Sequence, residues 1–392
     1  IDEAGIFTAM TEPGLFEVKA LTTLNAGVRG DSAVVGIPPV WIPVGDMAES
    51  RDYARAVLLD DGEALVGGRT SMVELFDPTT RSFSLAGHLL CGRFDEAPAV
   101  RLDDGKVLIV GGAGGERCAD IYDPVAGTFR RTGEMNVGRT GSHSATLLND
   151  GRVLVVGGPN ESGLSITEVE IYDPKTGTFS LTGSLIAGRS LHAATLLQDG
   201  RALIVGGVAQ FRPGVNTLLN SAELYDPTTG EFTLICCMKS VFESCEATLL
   251  ENGKVVLTGG SSQAELFDPV TESFSPTGGS MAETGRVRSS ATRLLDGTVL
   301  ISGGSPGLAS NSVELYDPLS DTFVNMPGMG HARQMHGATL LPDGSVLVIG
   351  GSNNLQSGEQ HMSAEIFIPA ASPFTTTQTD SGTISGHVYA DD

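Results

Sequence analysis

The sequence predicts an all-β protein: a seven-bladed β-propeller whose ring is closed by an N-terminal outer strand, flanked by partial β-sandwich segments. Three observations predict it. A glycine pair ends a short apolar run seven times, at Gly67–Gly68, Gly111–Gly112, Gly157–Gly158, Gly206–Gly207, Gly259–Gly260, Gly303–Gly304 and Gly350–Gly351, with successive spacings of 44, 46, 49, 53, 44 and 47 residues. Periods of this size that carry several short strands mark stacked β units. Aspartates beside glycine (Asp61, Asp104, Asp150, Asp199, Asp296, Asp343) punctuate the runs as hairpin turns, and no segment carries a helical period.

The copy from His143 to Leu185 shows each element in turn. Ala145 to Leu148 is a short strand, Asp150-Gly151 supplies two positive-φ positions for a tight hairpin, and Val153 to Val156 is the return strand. That return strand is apolar on both faces, so both faces must be covered, as happens between two neighbouring blades. The glycine pair lets the chain leave where a Cβ would meet adjacent backbone. Glu170-Ile171-Tyr172 is a third strand, ended by Asp173-Pro174 and a Thr176-Gly177 turn, and Thr178 to Leu181 is the fourth and outermost.

These residues resemble the kelch family, whose repeats carry paired glycines followed by a tyrosine and then a large aromatic. The first aromatic here is Tyr122, Tyr172, Tyr225 or Tyr316, with Phe76, Phe267 and Phe367 in the other units. The second is Trp41, Phe83, Phe129, Phe179, Phe232, Phe274 or Phe323. The resemblance spans roughly residues 41 to 369. It implies a propeller like the central domain of galactose oxidase but no single function, because kelch propellers serve as enzymes, adhesins and scaffolds.

The two ends of the array complement each other. Trp41 to Met47 aligns with the fourth strand of a unit, while Gly337 to Pro369 supplies strands one to three of a seventh unit without a fourth. The N-terminal strand is therefore expected to complete the last blade and remove its open edges. Residues 1–38 resemble the C-terminal part of a bacterial immunoglobulin-like domain, residues 39–372 form the propeller, and residues 373–392 read as a Thr/Ser-rich linker and the first strand of a carboxypeptidase-regulatory-like domain. A chain that begins at Ile1 without Met is expected to be an excerpt of a larger, modular, exported bacterial protein.

Composition narrows the partners. With 24 basic against 47 acidic residues the formal charge is −23, which repels phosphate backbones and anionic lipids, so no nucleic-acid partner and no membrane insertion are expected. Five cysteines must be judged by position. Cys91 and Cys118 fall on one rim of blade 2, and Cys236 or Cys237 is placed to reach Cys245 across the loop entering blade 5. Such bridges suit an extracellular or cell-surface location.

Candidate functional residues are those the repeat does not need. The loop from the second glycine to the acid opening strand three spans 6, 8, 12, 16, 5, 10 and 14 positions in blades 1 to 7, longest in blades 3, 4 and 7. Asn160, Glu161, Phe211, Arg212, Asn216, Asn220, Asn353, Asn354, Gln356 and Gln360 on those loops are the recognition candidates. His143, His192 and His336 share one repeat position in the same three blades, either as ligands at the channel mouth or as side chains bonding the backbone of their own long loops. Arg51, Arg93, Arg139, Arg189, Arg286 and Arg333 recur before strand one, and Glu74, Asp120, Glu170, Glu223, Glu265, Glu314 and Glu365 open strand three on the same rim. The expectation is a structural arginine–carboxylate tie per blade, with a disulfide in its place in blade 5, where Phe242 replaces the arginine.

No nucleophile with a positioned base, phosphate loop or zinc spacing is present, so no catalytic residue, metal or cofactor is assigned. The copper radical chemistry that galactose oxidase suggests needs two tyrosines at one copper, and only Tyr53 is left near the channel once the repeat tyrosines and Tyr389 are set aside. The sequence thus points to a non-enzymatic, monomeric binding or adhesion module presenting a loop-lined rim to a protein or glycan. The alternatives are a carbohydrate-active enzyme related to galactose oxidase without its copper site, or a spacer.

Overall fold

The computed structural model describes residues 20–21, 34–35, 38–92, 97–112, 117–209, 217–240, 243–304, 308–353, 360–369, 374–375 and 383–384. Among them every regular element is a strand. Seven four-stranded antiparallel sheets make the seven blades of a β-propeller. Six take their strands in sequence order. The seventh runs Gly337–Leu340, Val346–Ile349, Ala364–Ile368 and then Val40–Pro43, so the N-terminal strand closes the ring. Trp41 fixes this closure: its ring lies 5.1 Å from Phe367, and its indole N–H donates to Pro327 O at 2.8 Å.

Blade 3 shows why the repeat folds this way. Strand one (Ser144–Leu147) pairs with strand two (Val153–Val156), whose four residues are all buried. Their side chains, with Tyr172 and Leu185, join apolar layers shared with the neighbouring blades. In every blade the first aromatic stacks on the second across strands three and four, at 4.8–5.1 Å between ring centroids. The Thr-Gly dipeptide after strand four ties one blade to the next: Gly133 N donates to Gly177 O (2.9 Å), and Thr132 Oγ1 bonds the Tyr172 hydroxyl (2.8 Å).

The hairpins depart from expectation in one respect. Only the glycine is left-handed (Gly151, φ 83°), while Asp150 keeps an ordinary φ and its carboxylate accepts Arg152 N at 3.0 Å. Gly151 N closes on Leu148 O at 3.0 Å, so the extra residue makes a glycine-bulge turn rather than a two-residue one.

Trp41–Phe367 is one compact unit; Ile1–Val40 and Ile368–Asp392 form another. In the second, Ala20–Leu21 pairs with Thr383–Ile384 and Val34–Val35 with Phe374–Thr375. Phe374 and Thr375, read from sequence as linker, are thus in a strand.

Candidate functional site

On the face where the chain enters each blade, the repeated arginines are sealed. Arg51, Arg139, Arg189, Arg286 and Arg333 are 0% exposed and pair with Glu74, Glu170, Glu223, Glu314 and Glu365 at 2.5–3.2 Å. In four blades one guanidinium nitrogen also bonds the carbonyl of the first glycine of the pair, as in Arg189 to Gly206 O (2.9 Å). Each carboxylate in turn accepts backbone N–H groups from the segment entering its blade, such as Ile186 and Ala187 on Glu223. Five guanidinium groups are therefore consumed by structure and cannot form an anion-binding ring. Arg93 and Phe242 lie outside the described residues. Blades 2 and 5 still carry the backbone half of the tie, on Asp120 from Leu90 and Cys91, and on Glu265 from Lys239 and Ser240.

The histidines are tied across blade boundaries, not to their own loops as one reading had it. His143 Nε2 bonds Val110 O (3.0 Å), His192 Nε2 bonds Ser144 Oγ (2.8 Å), and His336 Nε2 bonds Ser290 and Ser302 (3.0 Å each), every partner of His143 and His192 belonging to the preceding blade, as do both of His336's. The glycine pair makes room for this. A Cβ on Gly157 would stand 3.0 Å from His192 Cε1, and one on Gly158 would stand 2.8 Å from His143 Cβ. Burial first, and the neighbouring arginine second, push all three imidazoles down to about 3, so they are neutral wedges between blades.

Cys245 occupies the same slot in blade 5. Its thiol points at Val205 O (3.9 Å) across the same boundary, is buried and is pushed up to about 12 by that burial. The expected bridge from Cys236 or Cys237 to Cys245 is therefore absent: Cys236 pairs with Cys237, and Cys245 is free. A sequence separation of eight or nine residues suggested proximity, but the chain entering strand one buries Cys245, away from the exposed pair. Cys91 and Cys118 are joined, with Cα atoms 5.6 Å apart.

Just before these residues the chain turns left-handed, at Tyr53, Ser142, Leu191, Ser244, Arg288 and Met335 (φ 49–60°). From blade 3 onwards the backbone there is linked around the ring: Leu191 N to Ser142 O, Ser244 N to Leu191 O, Arg288 N to Ser244 O, Met335 N to Arg288 O and Ala54 N to Met335 O, at 3.0–3.4 Å. This girdle frames the central channel, a cavity of about 370 Å³. One step deeper, one repeat position is alanine in all seven blades (Ala56, Ala99, Ala145, Ala194, Ala247, Ala291, Ala338), the second residue of strand one everywhere but in blade 2, where Ala99 is the first. Between girdle and alanine ring, however, the preceding position differs in almost every blade: Arg55, Pro98, Ser144, Ala193, Glu246, Ser290 and Gly337.

That ring is the feature sequence reasoning missed. Glu246 is its one carboxylate. It is half-buried by exposed area yet enclosed by the channel walls, and desolvation raises it to about 7 against the opposing pull of the Arg55 charge. Arg55 bonds only the carbonyl of Ala54 (3.4 Å), and no ion pair joins it to Glu246. The signal was present in the sequence: within a repeat that keeps the next residue alanine, this position does not repeat.

The loop candidates are placed unevenly. Asn160 is spent on its own turn, accepting Ser162 N and Leu164 N, while Glu161 is exposed at the tip. Asn353 O accepts Ala309 N (3.0 Å), and Asn220 O accepts Met238 N (2.8 Å). Phe211, Arg212, Asn216, Asn354 and Gln356 lie outside the described residues.

No protein-family model matches the sequence, and no curated protein matches it. Solved structures do. A fungal alcohol oxidase of the AA5 family, in complex with copper, superposes with a TM-score of 0.66 at 18% identity, over 86% of this chain and 76% of that one. The fold is galactose-oxidase-like. A second solved structure, that of YjhT, matches with a TM-score of 0.53 at 13% identity, over 87% of this chain and 99% of its own. At these identities the likeness extends to fold alone. Among the described residues the donors do not compose a copper site: the three wedge histidines are committed to hydrogen bonds in different blades, and no three His, Cys, Asp or Glu side chains converge.

Proposed function

We propose that this propeller is a non-enzymatic binding module that presents the face with the channel mouth and the long loops of blades 3, 4 and 7 to an extracellular protein or glycan. The observation that carries the reading is the division of labour on that face. The repeated polar groups there are closed on one another, as buried Arg–Glu ties and neutral histidine wedges, so variation in the loops is free to serve recognition. The Cys91–Cys118 bridge supports an oxidising, extracellular location. The charge of −23 favours partners other than nucleic acid.

The test is binding of the chain to a glycan and polysaccharide array and to host-surface proteins, beside a variant with residues 210–216 replaced by a short turn. Binding that disappears with the loop is the expected result. A ligand held equally well by the loop variant would remove the blade 4 loop from the reading, and no ligand in either screen would leave the spacer.

A second reading, a carbohydrate-active enzyme without copper, rests on Glu246. A carboxyl raised to about 7 suits a general acid or base at neutral pH. Against it, Glu246 is the only carboxylate lining the described channel, whereas glycoside hydrolysis ordinarily uses two.

A further inference from the structure

The channel mouth carries unmatched charge. Arg55 on blade 1 and Glu246 on blade 5 line one cavity with blades 6 and 7 between them, and neither has an ion-pair partner among the described residues. Arg288, on the girdle of the same cavity, has no side-chain partner either, and the Ser244 hydroxyl is buried with its hydrogen-bonding capacity unused. Unspent polar groups converging on a cavity of about 370 Å³ are the features of a small-molecule site.

We propose that the channel mouth binds a free α-amino acid, its carboxylate at Arg55 and its ammonium at Glu246. A simple anion would leave the Glu246 carboxylate facing like charge, a simple amine would leave two guanidinium groups unmatched, and a neutral sugar would match neither charge. A zwitterion pairs both walls at once, and Arg288 adds a preference for acidic side chains. Besides Arg55, Arg288 and the phenol of Tyr53, the titratable groups lining the cavity with Glu246 are His143, His192 and His336, which are held neutral, and the Cys245 thiol, which stays protonated. Glu246, at about 7, is the group that changes charge between pH 5 and 8. The site is separate from the loops invoked for rim recognition, so the two readings stand or fall independently.

Isothermal titration of the full chain with L-alanine, propionate and ethylamine tests the proposal. L-alanine is expected to bind at pH 8 at least tenfold more tightly than either fragment and to weaken at pH 5 as Glu246 takes up a proton. Glu246→Gln is expected to lower alanine affinity at least tenfold, to leave propionate unchanged and to abolish the pH dependence; Arg55→Gln is expected to lower both alanine and propionate binding. The melting temperature of each variant shows that the ring is intact. Equal affinity for alanine and propionate, unchanged binding by Glu246→Gln, or no binding of L-alanine or L-aspartate in the millimolar range overturns it. The blade 4 loop variant retains amino-acid binding, which separates failure of the rim reading from failure of this one.

Discussion

Arg189→Ala tests whether the buried ties hold the blades or merely decorate them. Arg189 is 0% exposed and its guanidinium serves Gly206 O (2.9 Å), Ser221 O (3.1 Å) and Glu223 (2.7 Å). Truncation removes the arginine's donor from the Gly206 carbonyl, leaves the Ser221 carbonyl with Gly206 N alone (3.1 Å), and leaves a 0% exposed carboxylate without its counter-charge. Removing one partner of a buried pair costs about 3–5 kcal/mol. Some relief comes from Ile186 N and Ala187 N, which still donate to Glu223. Blade 5 is the internal control: Glu265 is equally buried and held by Lys239 N and Ser240 N, with Phe242 where the arginine would be. If two backbone donors suffice for a buried carboxylate, the arginine's contribution is to its own loop. Urea unfolding, followed by far-UV circular dichroism and by the single tryptophan, Trp41 in the closing blade, reads the cost directly. The expected loss is about 3 kcal/mol or more. A loss below about 1 kcal/mol, the scale of an exposed pair, would refute the reasoning.

Thiol titration is expected to find no reactive cysteine in the folded chain and one per chain in denaturant, since Cys245 is buried and raised to about 12 while the other four are paired; three in denaturant would undo the Cys236–Cys237 pair. The wedge histidines predict acid sensitivity. Their folded value of about 3 lies below the ordinary one, so the unfolded chain takes up protons first and stability is lost as pH falls from about 6.5 towards 3, by about 1.4 kcal/mol per pH unit for each histidine. His336→Gln is expected to flatten the acid limb of a melting-temperature profile, and an unchanged limb would count against the wedge. Gly158→Ala is expected to cost about 2–5 kcal/mol, from a left-handed φ of 86° and from a Cβ 2.8 Å from both Gly141 O and His143 Cβ. Gly127→Ala, also left-handed but with open space around it, is expected to cost only about 1–2 kcal/mol; equal losses in urea unfolding would show that conformation, not inter-blade packing, demands the glycine pair.

The fold was legible because it is written seven times. Gly157–Gly158, Tyr172 and Phe179 mean little alone, but their recurrence fixes strand count, strand order and the need for Trp41 to close the last sheet. The site was illegible for the opposite reason. Comparing the copies draws attention to what they share, and Arg55 and Glu246 are residues the copies do not share. Cys245 misled in a further way. Aligned by repeat it falls on the histidine position, three residues before Thr248; aligned by cysteine count it invites a bridge to Cys236 or Cys237. The repeat was the better guide, because a buried residue just before strand one, beside the channel, does not reach the exposed segment that carries Cys236 and Cys237.

This division has a physical cause. In a closed ring each blade meets two neighbours, so a residue that packs at one boundary is needed at all of them, and substitution there costs several kcal/mol in a structure whose net stability is of order 10 kcal/mol. The first position of strand one is different. Its side chain lines the channel. Ser144 and Ser290 also bond the histidine of the next blade, but among the described residues Arg55 and Glu246 make no side-chain bond to a neighbouring blade, while the girdle above and the alanine ring below hold the backbone. Arginine in blade 1, serine in blades 3 and 6, and glutamate in blade 5 are therefore compatible with one scaffold. The burial that raises Glu246 is the one penalty this freedom carries. It has the opposite sign from the histidines: a folded value above the ordinary one contributes stability below about pH 4.5 that is lost as pH rises through about 7. Glu246→Gln should accordingly stabilise the propeller at pH 8 and not at pH 4. A variant that was instead less stable at pH 8 would mean that the carboxylate already has a structural partner, and that the channel is not waiting for a ligand to supply one.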